Sequence, residues 1–532
     1  MTPSPRVRVH EGGSIPSATV AWFAASDEAG AASLAAGVWC ARMCYASPPM
    51  RRSFVVVAWI AIAASYGAHV RVFDFITDDG YISLRYAENL ARHGALEYNV
   101  GERVEGYTNF LWTVALAGLL RLGAPLELAA RALGPLLGFG VLVVTWLLAR
   151  RRDSGLAALL APALLAALPA HACWSSGGLE TPMFTLLGLL GAALLIGDRP
   201  VAAGLAFAAA AMTRPEGALL VALAALADIK ATRRLRWRLY LAFALPFGAF
   251  FAWRFAYYGA PFPNTFYVKT AGGAAFARGA AYLRLFAVEN RLWALLPLAI
   301  FFRPRDRRLW LHAAFTVPVF LVYVAAVGGD FMALGRFVVP MAPYLALAAV
   351  EAVRTLRPAP RAWTAAATLL ALAAYSAVGI DRATLALVGA RDGVDGIGYL
   401  KLFVDDRLKV GRWMRQNLPK GTLVSVGGAG ALPFASKLPI LDAFGLNDTH
   451  IARSVAPSSD RPGHQKVAPL AYLLEREVDL VCFPPYAALE RHGYRRVCYP
   501  VEMDPRTVPG GRYCCWSKRP EAGLHQPRRG VR

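Results

Sequence analysis

The chain has 532 residues, 56% hydrophobic and 17% charged, with a formal net charge of +22 and a mean hydropathy of +0.40. That apolar content exceeds what a soluble globular chain carries and argues for residence in a membrane. The charge would suit a nucleic-acid binder, but the arginines fall in short clusters between apolar runs: Arg51-Arg52, Arg150–Arg152, Arg233–Arg238 and Arg303–Arg308. Such clusters mark cytoplasmic loops, and no nucleic-acid motif accompanies them, so nucleic acid is excluded as a partner.

In chain order, residues 1–50 are rich in Ala, Gly and Ser without a helical stripe, and read as a disordered extension or a misplaced start ahead of Met50-Arg51-Arg52. A signal peptide does not fit, because the run after Arg52 reaches Val72 without a clear small-residue cleavage site. If that first span, Phe54–Val72, starts inside, the loop 73–127 lies outside and Arg150–Arg152 lies inside, which allows one crossing between them. Leu128–Ala149 is the longer candidate and ends in the arginines, so it is assigned the crossing, and Asn109–Leu122 is read as an amphipathic helix in the outer interface.

Leu156–Cys173 then goes out and Pro182–Ile196 returns. Val201–Ala227 crosses twice, or forms a re-entrant hairpin, with Thr213-Arg214-Pro215-Glu216-Gly217 at its outer turn. Leu239–Tyr257, Leu292–Phe302, Leu309–Val327, Phe337–Val353 and Trp363–Ile380 alternate after it, giving about eleven crossings. The span region is thus 51–380, and the tail 381–532 is left outside. Short alternating runs at Thr422–Val426 and Val478–Cys482, separated by Gly and Pro, predict a small α/β domain there. Cys482, Cys498, Cys514 and Cys515 in this tail can pair in three ways, and an extracytoplasmic location permits disulfides.

Under this topology the polar groups that interrupt the apolar pattern fall on the outer side: Asp78, Asp79, Arg85, Glu105, Tyr107, Asn109, Glu180, Arg214, Glu216, Asn264, Lys269, Asp330 and Arg336. Ionisable groups near membrane depth cost several kcal/mol unless paired or hydrated, so as a set they predict one polar cavity rather than scattered loop residues. Adjacent carboxylates raise one another's pKa and can take a proton or hold a divalent cation, which suits Asp78 and Asp79 to general-base work on a sugar hydroxyl. Arg214, Lys269 and Arg336 are the cations best placed to hold a phosphate leaving group. Arg214 has an alternative partner in nearby Glu216. In the tail, Trp413, Asp442, Asn447, Asp448, His464 and Lys466 are the polar and aromatic candidates. No P-loop, Gly-x-Ser-x-Gly or His-Glu-x-x-His motif is present, and Gly427-Gly428-Ala429-Gly430 reads as a strand-to-helix turn.

Thr77 to Leu90, followed by Asn99 to Trp112, resembles the first external loop of GT-C glycosyltransferases, most closely the mycobacterial terminal β-(1→2)-arabinofuranosyltransferase group. Ser176–Thr181, Thr213–Gly217, Tyr257–Tyr267, Gly328–Met332, Arg336–Pro340, Leu441–Asp448 and Gly463–Lys466 continue the likeness. The resemblance implies an α-helical polytopic fold with two juxtamembrane helices in a long first external loop. It also implies inverting transfer of a sugar from a polyprenyl-phosphate donor to a cell-envelope glycan or glycolipid on the outer face of the plasma membrane. By the same resemblance Asp78 or Asp79 is the base, and arabinofuranose is the sugar suggested. A flippase of lipid-linked sugars and a non-catalytic envelope assembly subunit are the alternative readings.

Overall fold

A computed structural model of the chain describes residues 52–151, 156–269, 274–292, 300–356, 393–459 and 461–518, with a few positions between 363 and 374. Residues 57–532 form one compact unit; of the unit before it, residues 1–56, only the start of the first helix is described.

That helix, α1 (Arg52–Phe73), contains no proline and no charged residue between Arg52 and Arg71. Next comes α2 (Asp78–His93), begun by the Thr77 hydroxyl, which accepts from Gly80 N–H, and stopped by Gly94 at φ 69°. The helices α3 (Phe110–Arg121) and α4 (Leu126–Ala149) follow, α4 ending at the first arginine cluster. A short 3-10 turn then leads into α5 (Leu160–Ala166) and α6 (Pro169–Ser176), bent by 57°. This is where one straight span, Leu156–Cys173, is predicted; Pro169 lacks the N–H that would carry a helix through, so the chain turns.

The bundle continues with α7 (Thr181–Ile196), α8 (Pro200–Thr213), α9 (Gly217–Thr232), α10 (Trp237–Tyr258), the short α11 (Asn264–Val268), α12 (Ala275–Glu289), α13 (Arg307–Ala326) and α14 (Ala342–Thr355). No element is expected from sequence at α12. Four described helices are long and apolar enough to cross a membrane, namely Ser53–Phe73 of α1, α4, α10 and α13, and five if α5 and α6 form one span; α3, α7 and α8 are apolar but shorter. The expected span Leu292–Phe302 lies mostly outside the described residues, as does Trp363–Ile380, and with it the expected boundary near 380.

The helix ends carry the organisation. Arg151, Arg236 and Arg308, from three of the arginine clusters, meet carboxylates at one end of the bundle: Arg151 with Asp306 at 3.2 Å, Arg236 with Asp228 at 2.7 Å, and Arg308 with Asp198 at 2.7 Å and Asp228 at 2.8 Å. Glu180 lies at the start of α7, Arg214 at the end of α8, Glu216 at the start of α9 and Asp330 beyond the end of α13, all at the opposite ends of the helices that carry those ion pairs. The two sets are thus separated by the length of the bundle, as the parity of the arginine clusters predicts.

After α15 (Ile397–Asn417), the tail forms β1 (Val424–Val426), α16 (Ala431–Ser436), β2 (Ile440–Asp442), α17 (Thr449–Ser454), α18 (Leu470–Glu475), β3 (Leu480–Val481), β4 (Arg495–Glu502) and β5 (Arg512–Ser517). The strands pair in the order β2-β1-β3-β5-β4, parallel through β2, β1 and β3 and antiparallel where β5 joins β3 and β4. Register decides the cysteine pairing: Cys498 stands opposite Cys514, and Cys482 follows β3 where β5 presents Cys515, so the disulfides are Cys482–Cys515 and Cys498–Cys514. The tail is anchored on the first loop, with the Tyr98 hydroxyl donating to Ala429 O at 2.6 Å and Arg85 donating to Pro433 O and Leu438 O.

Candidate active site

The site is built at the polar end of the bundle around the first turn of α2. Successive helical residues point about 100° apart, so adjacent carboxylates face different neighbours. Asp78 turns to the tail, where its two oxygens accept from Gly430 N–H at 3.1 Å and Ala431 N–H at 2.8 Å. Only glycine fits at 430, because a Cβ there would fall 1.8 Å from the Asp78 carbonyl oxygen. Asp79 turns to the bundle, with Arg336 Nη1 4.0 Å from its carboxylate.

Around Asp79 the charges are coupled. Arg336 also pairs with Asp330 at 2.7 Å. Arg214 is held by two carboxylates, Glu180 at 2.6 Å and Glu216 at 2.9 Å. Glu180 in turn accepts from Asn109 Nδ2, which bonds the Ser83 hydroxyl of α2, and Glu216 accepts from the Tyr323 hydroxyl at 3.1 Å. Lys269 differs from these cations: among the described residues its ammonium has no ion-pair or hydrogen-bond partner, and it lies 5.9 Å over the Phe337 ring with Asp79 and Asp330 acting on it through space.

Asp79 is one-third exposed and Lys269 is exposed, although protein crowds both, so solvent reaches each of them. Desolvation raises the Asp79 carboxyl above its ordinary range, with Arg336 opposing the shift. Asp78 is pushed up to about 6 by desolvation, opposed by the Ala431 N–H. The Lys269 ammonium is lowered by desolvation, opposed by Asp330. In the same cluster a small crevice of about 10 Å³ is lined by Thr181, Phe184, Arg214, Glu216, Phe320, Tyr323, Val324, Arg336, Phe337 and Pro340. Arg214, Glu216 and Arg336 make one part of its lining charged, and Phe184, Phe320, Val324, Phe337 and Pro340 make another part apolar.

Of the residues singled out from sequence, the structure thus gathers Asp79, Asn109, Glu180, Arg214, Glu216, Lys269, Asp330 and Arg336. It places others elsewhere. Arg85 is buried, and its donors go to Tyr98 O, Asn99 Oδ1, Pro433 O and Leu438 O, so it ties the tail down. Glu105 pairs with Arg254 at 2.7 Å, Tyr107 meets the Tyr258 hydroxyl, and Asn264 Nδ2 donates to Gly445 O, Leu446 O and Asp448 O. Lys466 donates to Ala452 O. Trp413 packs on Tyr499, Asp442 accepts from Asn447 and Phe444, and Asp448 begins α17. These positions tie the first loop to α10, α11 to the tail, and the tail to itself. His464 is the exception, half-buried between Phe331 and Phe444.

Asp78 and Asp79 each have their own partners, the tail amides for one and Arg336 for the other. Among the described residues no three His, Cys, Asp or Glu side chains gather as metal ligands would. Sequence reading missed the tie from Asp78 to Gly430 and Ala431; the only local signal was a run of small residues before a short helix.

The apolar helical bundle, the polar cluster by the loop after its first helix and the α/β tail over that loop form a fold shared with solved structures. Over 89% of this chain and 99% of theirs, two structures of ArnT from Cupriavidus metallidurans match it: one bound to undecaprenyl phosphate with TM-score 0.61 and 15% identity, one apo with 0.60 and 17%. The oligosaccharyltransferase of Archaeoglobus fulgidus matches with TM-score 0.50 and 12% identity, over 81% of this chain and 69% of its own. By sequence, 268 residues are 31% identical to the terminal β-(1→2)-arabinofuranosyltransferase of Mycobacterium tuberculosis, an alignment that spans 46% of this chain and 42% of that protein. Residues 399–514 match a family described as a domain of unknown function, DUF8728.

Proposed function

We propose that the chain is an inverting glycosyltransferase that moves a sugar, arabinofuranose, from a polyprenyl-phosphate donor to a glycan on the outer face of the plasma membrane. The observation that carries this reading is a part-exposed Asp79 carboxylate in one charge cluster with Arg336 and with Lys269, whose ammonium has no ion-pair partner among the described residues. In the reaction, Asp79 takes the proton of an acceptor hydroxyl as that oxygen attacks the anomeric carbon from the face opposite the phosphate. The C–O bond to phosphate breaks with its electron pair on the leaving oxygen, and Lys269, with Arg336 behind it, meets the developing charge. The phosphodiester donor supplies the free energy, so the protein contributes placement and charge stabilisation.

Asp78 is a positioning residue in this scheme: its carboxylate is occupied by two tail amides, which fix the first turn of α2 and so the direction of Asp79. The described part of the tail, residues 393–459 and 461–518, then closes the site from the outer side. The sugar rests on the name of the mycobacterial relative, and the lipid carrier on the undecaprenyl phosphate bound by ArnT.

The test is transfer from synthetic polyprenyl-phosphoryl arabinofuranose to an octyl glycoside by purified protein in lipid nanodiscs. Transfer with inversion that Asp79→Asn abolishes is the expected result. Wild-type rates in Asp79→Asn would remove the base assignment, and transfer from a mannosyl donor alone would remove the sugar.

A further inference from the structure

The side of Asp78 that faces the tail is built of rings. A Cβ placed on Gly428 would lie 3.1 Å from the Phe403 ring and 3.2 Å from the Asp78 carboxylate, and one on Gly427 would lie 3.2 Å from both Phe444 and Phe483. The Phe444 ring is 5.0 Å from that of Phe483 and 4.6 Å from that of His464. His464 is 5.1 Å from Phe331, the residue after Asp330. The strip therefore runs from the charge cluster at Asp330 round to Asp78.

Its rings are all half-buried, whereas the aromatic core residues Trp112 and Tyr86 are sealed from solvent. Apolar rings left partly wet are a poor core and a good contact surface. Polar groups stand among them. Arg407 stacks on Phe403 at 4.3 Å and Tyr513 at 4.9 Å, with a buried Nη1 that has no hydrogen-bond partner among the described residues. Arg461, paired with Asp395 at 2.6 Å, lies over Phe331. A lipid chain would leave these charges and the free N–H unserved. A sugar ring presents C–H faces to aromatic faces and hydroxyls at its edge to just such donors and acceptors.

We propose that this strip is the acceptor subsite, with one sugar of the acceptor glycan stacked on Phe444 and Phe483 and its hydroxyls met by His464 and Arg407. The proposal rests on the glycosyltransferase reading and adds where the second substrate lies.

The experiment uses the full chain in nanodiscs with an octyl-linked arabinofuranose disaccharide as the probe, followed by saturation-transfer NMR, and in parallel the acceptor and donor KM of transfer. Wild type should saturate the ring protons of the disaccharide. Phe444→Ala and His464→Gln should each weaken it, with acceptor KM about tenfold higher and donor KM held, and Phe444→Tyr should restore it. Equal saturation in wild type and both single variants, no saturation in wild type, or a donor KM that rises with the acceptor KM would each overturn the subsite. Disaccharide binding without any donor turnover would instead overturn the glycosyltransferase reading while leaving the sugar on the strip.

Discussion

Two surfaces meet at the first turn of α2, and they are held in opposite ways. On the bundle side, Asp79, Glu180, Glu216 and Asp330 stand against Arg214, Lys269 and Arg336. Almost every charge there is matched by another, and the one cation without a carboxylate of its own among the described residues is Lys269. On the tail side Asp78 is met by backbone N–H groups and glycines, and the neighbouring side chains are half-buried rings. The difference separates tasks: a site that handles a phosphate leaving group needs fixed cations, whereas one that holds a neutral sugar ring needs faces and a few donors.

The contrast is broken most directly at the two aspartates. Asp79→Asn should lower kcat by about 10²- to 10⁴-fold, the usual contribution of a positioned base, with little change in thermal stability; radiolabelled transfer and a melting curve on one preparation check both halves. A comparable loss from Asp78→Asn with no change in stability would erase the distinction between the two sides.

Arg214 tests the same surface through stability. Arg214→Leu strands Glu180 and Glu216 as buried carboxylates without their cation, and breaking such a group costs about 3–5 kcal/mol. Denaturant melts should show that loss, with partial recovery in the double variant Arg214→Leu/Glu216→Leu, which removes one of the stranded charges. Full stability in the single variant would mean that water reaches the cluster freely.

A smaller effect is expected in the pH profile. Asp79 works as the carboxylate, and its pKa is raised by desolvation, with Arg336 opposing the shift. The acid limb of kcat/KM should therefore lie above the ordinary aspartate value of 3.8, with activity rising as pH rises through it. In Arg336→Gln the limb should move to still higher pH, because the group that favours the charged form is gone.

The two surfaces were also unequally legible in the sequence. The bundle side could be read because a charge inside an apolar run has to be accounted for, which is how Glu180, Arg214, Asp330 and Arg336 stood out and how arginine parity put them on one side. Arg85 was misplaced for a related reason. Helical spacing sets it two turns from the aspartates, but its partners Pro433 and Leu438 are 348 and 353 residues distant, and no local pattern carries that distance. Of the tail strip only His464 was legible. Phe403, Phe444 and Phe483 look like ordinary apolar residues of a soluble fold, and only the chain's path over Gly427 and Gly428 leaves them half-open beside Asp78. The bend between α5 and α6 and the added helix α12 are similar cases, where packing decides what hydropathy leaves undetermined.

The smallest effect is the most discriminating between positioning and chemistry. In Asp78→Asn the amide retains one oxygen but turns an N–H toward the tail, so one of the two bonds from Gly430 and Ala431 is lost at a cost of about 1–3 kcal/mol. The rate should fall modestly, through a loosened first turn of α2, and the acid limb set by Asp79 should persist. The substitution also has a signature in stability. Asp78 is raised from 3.8 to about 6 in the folded chain by desolvation, opposed by the Ala431 N–H. Its protonated form is therefore the one that folding favours, so its contribution is fully present below 3.8 and is lost as pH rises through about 6. Asparagine does not titrate. The difference in melting temperature between wild type and Asp78→Asn should accordingly change across that window and level off above it, while the corresponding variant of a freely solvated aspartate would show no such step.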